Sequence, residues 1–294
     1  MKRLTLMGCA LWCAVQLAWA TAPYTHAGRS AAAEPAARVA EVESKLRGAG
    51  FTVLGHHVPK GLGGQASVVV SDPALLELIR ATGPSSAVAA SGIRVGVAAD
   101  GALSYATPDY WARAYLRQGY TPAVQKAVQS VAQRLRQILG TGEGFGGDVP
   151  QDQLADYRYM FGMERFDSDN SLLVTLGSFD EAVKTVQSNL ARGVRDTQSV
   201  YQLVLADKKM AVFGVAMNSA SDGEGWWVNK IGADFPAALP YEIFIVDNKV
   251  YALYARYRIA LAWPALGMGQ FMGIINAPDA IRDTLLRVAG GTTP

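Results

Sequence analysis

The chain has 294 residues, half of them hydrophobic, with 27 Lys and Arg against 25 Asp and Glu. Lys2 and Arg3 belong to the opening segment, and leaving them aside makes the balance 25 against 25, so there is no general attraction to a phosphate backbone and nucleic acid is not an expected partner. Both cysteines, Cys9 and Cys13, lie in that segment too, so a chain beginning at Thr21 has no disulfide, thiolate metal site or cysteine nucleophile.

"MKRLTLMGCALWCAVQLAWA" has a short basic start, an apolar run from Leu4 to Leu17 and small residues at Ala18 and Ala20. It reads as a secretory signal peptide over residues 1–20, cleaved after Ala20, and predicts a periplasmic or secreted protein without a transmembrane anchor. The run is shorter than the roughly 20 residues a membrane span needs, and too little apolar sequence precedes Cys9 for a lipoprotein box. The Ala-rich stretch from Thr21 reads as a flexible lead. A helix follows at "PAARVAEVESKLRGAG", with Val39, Val42 and Leu46 at helical spacing. "FTVLGHHV" and "QASVVVS" are strand-like and joined by "PKGLGG". Asp72-Pro73 opens a short helix. In the hairpin after it, Ile93, Val95 and Val97 point one way and Asp100-Gly101 supplies the turn. Thr121-Pro122 starts a long helix striped by Val124, Val128, Val131, Leu135 and Leu139.

Residues 141–166, Gly-rich at "GTGEGFGGDVPQDQ", read as a linker with little to bury. The same order then returns. "SLLVTL" is a strand, Ser178 caps a helix, "VYQLVLA" and "MAVFGVAM" are strands, and the hairpin reappears with Tyr241, Ile243 and Ile245 and a turn at Asp247-Asn248. Asn276, with Asp279 after it, is expected to cap a closing helix that Gly290 ends. The fold class is therefore α+β: two similar domains, 36–140 and 167–291, each a curved antiparallel sheet covered by helices.

The ordered signs in each half are a helix ending in "GFTVL", a strand leading to an Asx dipeptide ("VVVSDP", "GVAMNS"), an "LP" lead into a hairpin, and a closing helix. In this order the chain resembles a tandem pair from the family called domain of unknown function 302. The resemblance implies a TATA-binding-protein-like α+β fold and supplies no catalytic residues. In the first half Ala90-Ser91-Gly92 stands where the second has Leu239-Pro240, and the first half shows no evident opening strand.

Candidate chemistry is sparse. There is no nucleophile elbow, His-Glu-x-x-His or Walker loop. His56 and His57 are adjacent in a predicted strand, so their rings leave opposite faces of the sheet and cannot share one metal. Each could serve proton transfer or a metal beside a carboxylate. Met160 and Met163, with Met268 and Met272, carry thioethers that could gather copper, against the ordinary use of Met as core filler. No other cofactor is expected. Ile259 to Ile275 is free of charge, with Pro264 and three glycines arguing against a span; it is expected at the seam between the halves, with a pocket or a membrane contact as the alternatives. Trp226 and Trp227, together with Met268, Phe271 and Met272, are the candidate contacts to a small apolar ligand or a protein partner held between the two domains. The expectation is a non-enzymatic binding protein. The alternatives are an exported enzyme or metal/redox accessory using His56, His57 or the Met cluster, and a purely structural factor.

Overall fold

The structure, a computed structural model, describes residues 20–82 and 85–292, so most of the signal segment, with Cys9 and Cys13, lies outside the described residues. Strands β1 (Ala20–Thr21) and β2 (Tyr24–Arg29) precede α1 (Pro35–Gly48), β3 (Thr52–His57), β4 (Ala66–Ser71) and α2 (Pro73–Thr82). A 3-10 turn at Ser85–Ala90 leads to β5 (Ile93–Val97), β6 (Ala102–Ala106), α3 (Pro108–Leu116) and α4 (Pro122–Leu139). Two short strands, β7 (Gly144–Phe145) and β8 (Val149–Pro150), come next. The second half contains β9 (Leu172–Thr175), α5 (Phe179–Ala191), β10 (Thr197–Leu205), β11 (Met210–Met217) and α6 (Glu224–Ile231). A 3-10 turn at Pro236–Ala238 then leads to β12 (Tyr241–Val246), β13 (Lys249–Tyr251), α7 (Ala255–Ala262), α8 (Met268–Gly273) and α9 (Ala277–Val288).

The fold is α+β with antiparallel sheets, as the alternation of apolar residues predicts. One sheet runs β3-β4-β5-β6-β2-β7 and the other β10-β11-β12-β13-β9, so the first five strands of one repeat the order of the other. Even the irregularities repeat: β3 bulges between Val53 and Gly55, and β10 between Ser199 and Tyr201, at the same place relative to the neighbouring strand.

Three expectations are corrected. The flexible lead is instead β2, which pairs with β6 from Tyr24↔Ala106 onward and is the opening strand missing from the first half. Tyr24 is fully buried, and the Trp111 indole donates to the Pro23 carbonyl at 2.8 Å, fixing the strand from its far side. The expected linker is also ordered into the sheets: Gly144–Phe145 pairs with β2, Val149–Pro150 with β1, and Val149, Leu154 and Phe166 are buried. Asn276 makes no side-chain cap, whereas Ser178 and Thr121 accept from the Glu181 and Val124 amides.

The two faces of the first sheet do different work. Val68, Val70, Ile93, Val95, Leu103 and Tyr105 face outward and bury against Val39, Val42 and Leu46 of α1 and Val131 and Leu135 of α4. The intervening residues face the second half, and there a single hydrophobic cluster runs from Tyr24, Val69 and Trp111 through Phe213, Tyr241 and Leu261. The halves interlock through their 3-10 turns. A Cβ on Gly96 of β5 would lie 2.7 Å from Pro236 Cγ and 2.8 Å from the Ala237 nitrogen, so the close approach of that turn requires glycine there.

Charge is sealed into this seam. Arg94 of β5 and Glu242 of β12 occupy the same rung of their sheets, opposite Val69 and Gly214 respectively, and form a buried ion pair. Arg258 of α7 approaches the other Glu242 oxygen at 3.5 Å. Both guanidiniums satisfy further donors on the interlocking turn: Arg94 Nε to the Ala237 carbonyl at 2.9 Å and Arg258 to Ala238 at 2.8 Å. The rings of Trp111 and Tyr241 lie against them, with Arg94 4.4 Å and Arg258 5.0 Å from the Trp111 centroid. Burial pushes the hydroxyls of Tyr24, Tyr115, Tyr201 and Tyr241 upward, so all four remain neutral beside the cluster. Because one carboxylate faces two buried cations, Glu242→Gln is expected to cost about 3–5 kcal/mol in urea unfolding, and a loss below about 1 kcal/mol would contradict a seam dependent on this charge.

Candidate functional site

His56 and His57 end β3, and the pleat sends them to opposite faces. His56 turns outward and its Nδ1 lies 2.9 Å from Glu43 Oε1 on α1. A carboxylate can only accept, so Nδ1 carries a proton, and in the neutral form of the ring Nε2 is an acceptor. The second half holds the same tie in neutral form. His56 pairs across the sheet with Val68 and Gln202 with Phe213, on matching rungs, and Gln202 is joined to Gln187 of α5 at 3.0 Å. Glu43 and Gln187 also stand at the same distance along their helices. The first half has thus replaced a Gln–Gln contact with Glu–His.

That pair borders a groove of about 390 Å³ between the start of α1 and the ends of β3, β4 and β5. Pro35, Ala36, Val39, Ala40, Val58, Ala66 and Val97 make its wall apolar, and His56, Glu43 and Arg38 are its polar members. Arg38 is occupied with the carbonyls of Ala32 and Ala99. The corresponding corner of the second half has a mixed lining, with Ser178, Asp180, Lys209, Asp247 and Asn248 beside Phe179 and Ala206. The difference begins in the hairpins: β10 and β11 are joined by a tight turn, Ala206 to Lys209, whereas β3 and β4 are joined by the longer Val58 to Gln65 segment, which folds away and opens the space.

His57 holds that segment from below. Its Nε2 lies 2.6 Å from Glu224 Oε2 at the start of α6, and both side chains are buried. Beside this pair Asn229 donates to the Gly61 carbonyl at 2.9 Å. A Cβ on Gly225 would fall 2.3 Å from the Lys60 carbonyl, so α6 and the loop meet backbone to backbone. The dyad is sealed from solvent and acts as a latch between the halves. Glu224 Oε1 and Trp227 Nε1 are buried without a hydrogen-bond partner.

The remaining candidates divide. Trp227 is buried edge-on against Trp263, with ring centroids 5.6 Å apart, while Trp226 is half-buried under the Lys230 ammonium at 3.9 Å. Both lie on a helix, so they do not present a paired stacking surface. Phe271 is buried against Tyr159, whereas Met268 and Met272 on the other side of α8 are exposed. The space between the sheets, where a ligand was expected, is filled by the Arg94–Glu242–Arg258 cluster and its aromatic surround. Met160 is exposed and Met163 half-buried. Among the described residues no group of three or more His, Cys, Asp and Glu side chains gathers as a metal site. The charge-free stretch splits as well. Its first part is the seam: Tyr110 donates to the Leu261 carbonyl at 2.8 Å and Tyr157 to Ala260 at 3.0 Å. No helix of the described residues is long and apolar enough to cross a membrane.

The sequence singles out His56 and His57 but not the carboxylates that pair with them, Glu43 and Glu224. Glu43 falls on the helix face toward β3, a position the pattern alone supports once strand and helix are paired. Glu224 is brought to His57 from 167 residues away in sequence, and no local signal marks it. Comparison with known proteins returned no match among family models, curated proteins or solved structures.

If the latch orders the groove loop, Glu224→Leu should speed amide exchange across residues 58–65 by about tenfold or more while leaving β12 protected. Unchanged protection of the loop would show that His57–Glu224 does not hold it.

Proposed function

We propose that this is an exported, non-enzymatic binding protein, and that the groove beneath α1 takes a small apolar molecule carrying one hydrogen-bond donor. The observation that carries this reading is the predominantly apolar wall of the groove in one half, against a mixed lining at the corresponding corner of the other. Natural small-molecule sites combine such walls with few, placed polar groups. His56 is that group: held by Glu43, it offers Nε2 as an acceptor at the rim. The signal-peptide layout of residues 1–20 supports export, and the repeated strand order supports a tandem pair of similar α+β units.

The Glu43–His56 pair also has the base-and-orienter arrangement used in catalysis, which is the observation favouring an enzyme. The residues lining the groove include no hydroxyl, thiol or amine nucleophile, so an enzyme of this site would have to activate water. Binding requires less of the site and is the preferred reading.

1-Naphthol, an apolar molecule with one donor, is a suitable probe. Ala40 is exposed and lines the groove, so Ala40→Trp fills it without entering the core. We expect measurable naphthol binding that Ala40→Trp reduces about tenfold or more, and that His56→Ala weakens several-fold while binding of naphthalene stays the same. Binding unaffected by Ala40→Trp, or absent altogether, would overturn the assignment.

A further inference from the structure

The ionisable residues that line the α1 groove are Arg38, Glu43 and His56. While the His56 ring is neutral, the charges of Arg38 and Glu43 cancel. Both oxygens of Glu43 are taken, Oε1 by His56 Nδ1 at 2.9 Å and Oε2 by Arg47 at 2.9 Å. Nδ1 keeps its proton in either form of the ring, so only Nε2 changes: it accepts when the ring is neutral and donates when the ring is charged. One proton thus reverses the polarity of the group at the rim and leaves the lining with positive charge in excess.

We propose, on the groove assignment made above, that protonation of His56 changes the class of ligand the groove takes, from apolar molecules bearing a donor to apolar carboxylates. The duplication supports a dedicated role for the pair. The matching tie of the second half, Gln187 to Gln202 at 3.0 Å, has nothing to titrate, and the ionisable version occurs in the half that has the apolar groove. Solvent protons reach it, since the His56 side chain is 53% exposed, whereas His57 is sealed in the seam. The elements packed against β3 add few charges. β4 and β10 carry none, the Val58–Gln65 segment carries Lys60, and Arg94 of β5 is spent on Glu242. On α1, hydrogen bonds from Lys45 and Ser30 hold Glu41 down to about 2, so it stays a carboxylate while an imidazole titrates. At the hairpin beyond Arg38, the Ala102 amide and Arg29 hold Asp100 below the usual carboxylate range. Glu34, exposed ahead of Pro35, is the other acid near the start of α1. Against this background the proton on Nε2 decides whether a ligand must donate or accept. A hydrogen bond from a charged donor to a carboxylate is also the stronger kind.

The purified protein is to be titrated at about pH 8 and about pH 5.5, either side of the ordinary imidazole range, with three probes at fixed ionic strength. Indole can only donate, 2-naphthoate can only accept, and naphthalene does neither. We expect the ratio of 2-naphthoate to indole affinity to rise about tenfold or more at the lower pH, with naphthalene affinity the same at both. His56→Gln carries the side chain of the second half and offers a donor and an acceptor at every pH, so its ratio should not move. Naphthalene binding with an unmoved ratio in the wild type would overturn the proposal and leave the groove assignment standing. A ratio that still rises in His56→Gln would place the proton on another group and overturn it as well. No naphthalene binding at either pH would overturn the groove assignment and the proposal together.

Discussion

Glu242 lies between two arginines at the place where the two sheets meet, and the rest of the architecture is arranged to make that tolerable. A buried carboxylate or guanidinium is stable only when its charge and its hydrogen bonds are met. Here the Ala237 and Ala238 carbonyls and the Trp111 and Tyr241 rings supply part of what solvent would, and Arg258 Nε is left with only the long approach to Glu242. The 3-10 turn that offers those carbonyls can approach only because Gly96 has no side chain. The cluster therefore fixes relative position as well as charge: strand β5, the 236–238 turn, β12 and α7 must all be in place together. It also fills the interval between the sheets with side chains.

The two halves began as copies in topology and have diverged at corners. Where the second half ties α5 to its edge strand with Gln187 and Gln202, the first uses Glu43 and His56. Where the second closes its hairpin tightly at Ala206–Lys209, the first lets Val58–Gln65 swing out and lean on α6. The divergence gives the first half an apolar groove with a titratable rim, and it lends the second half's α6 a supporting role through His57–Glu224. At the far side, α8 has turned Met268 and Met272 outward while α7 before it is buried. The apolar stretch that looked uniform in sequence is thus half seam and half surface.

Much of this was legible in sequence. Continuous apolar runs located β4 and β11, period-two alternation located β5 and β12, and the helical stripes of α1 and α4 pointed to the faces that are buried. The repeat itself predicted the matching strand orders. What escaped had physical reasons. "YTHAGR" has one large apolar residue, so β2 carries almost no alternation; its burial comes from Trp111 and Phe145 rather than from its own pattern. The Gly-rich 141–147 segment looked like a linker because glycine there allows close passage over β2, a tertiary requirement. Arg94 and Glu242 are lone charges within apolar runs, and Arg258 ends an Arg-Tyr-Arg triplet before one. Aligning the repeats places Arg94 opposite Glu242, and opposite signs at one position of a duplication are a signal worth reading as a contact. The His57–Glu224 latch had no such clue.

The halves form one cooperative body locked by the buried ion cluster, with the α1 groove as an addition to it. Differential scanning calorimetry of the purified protein tests this most directly. The account predicts a single transition whose van't Hoff and calorimetric enthalpies agree, because neither half can expose the shared core without the other. Two resolved transitions, or a calorimetric enthalpy well above the van't Hoff value, would show that the halves unfold independently and would contradict it.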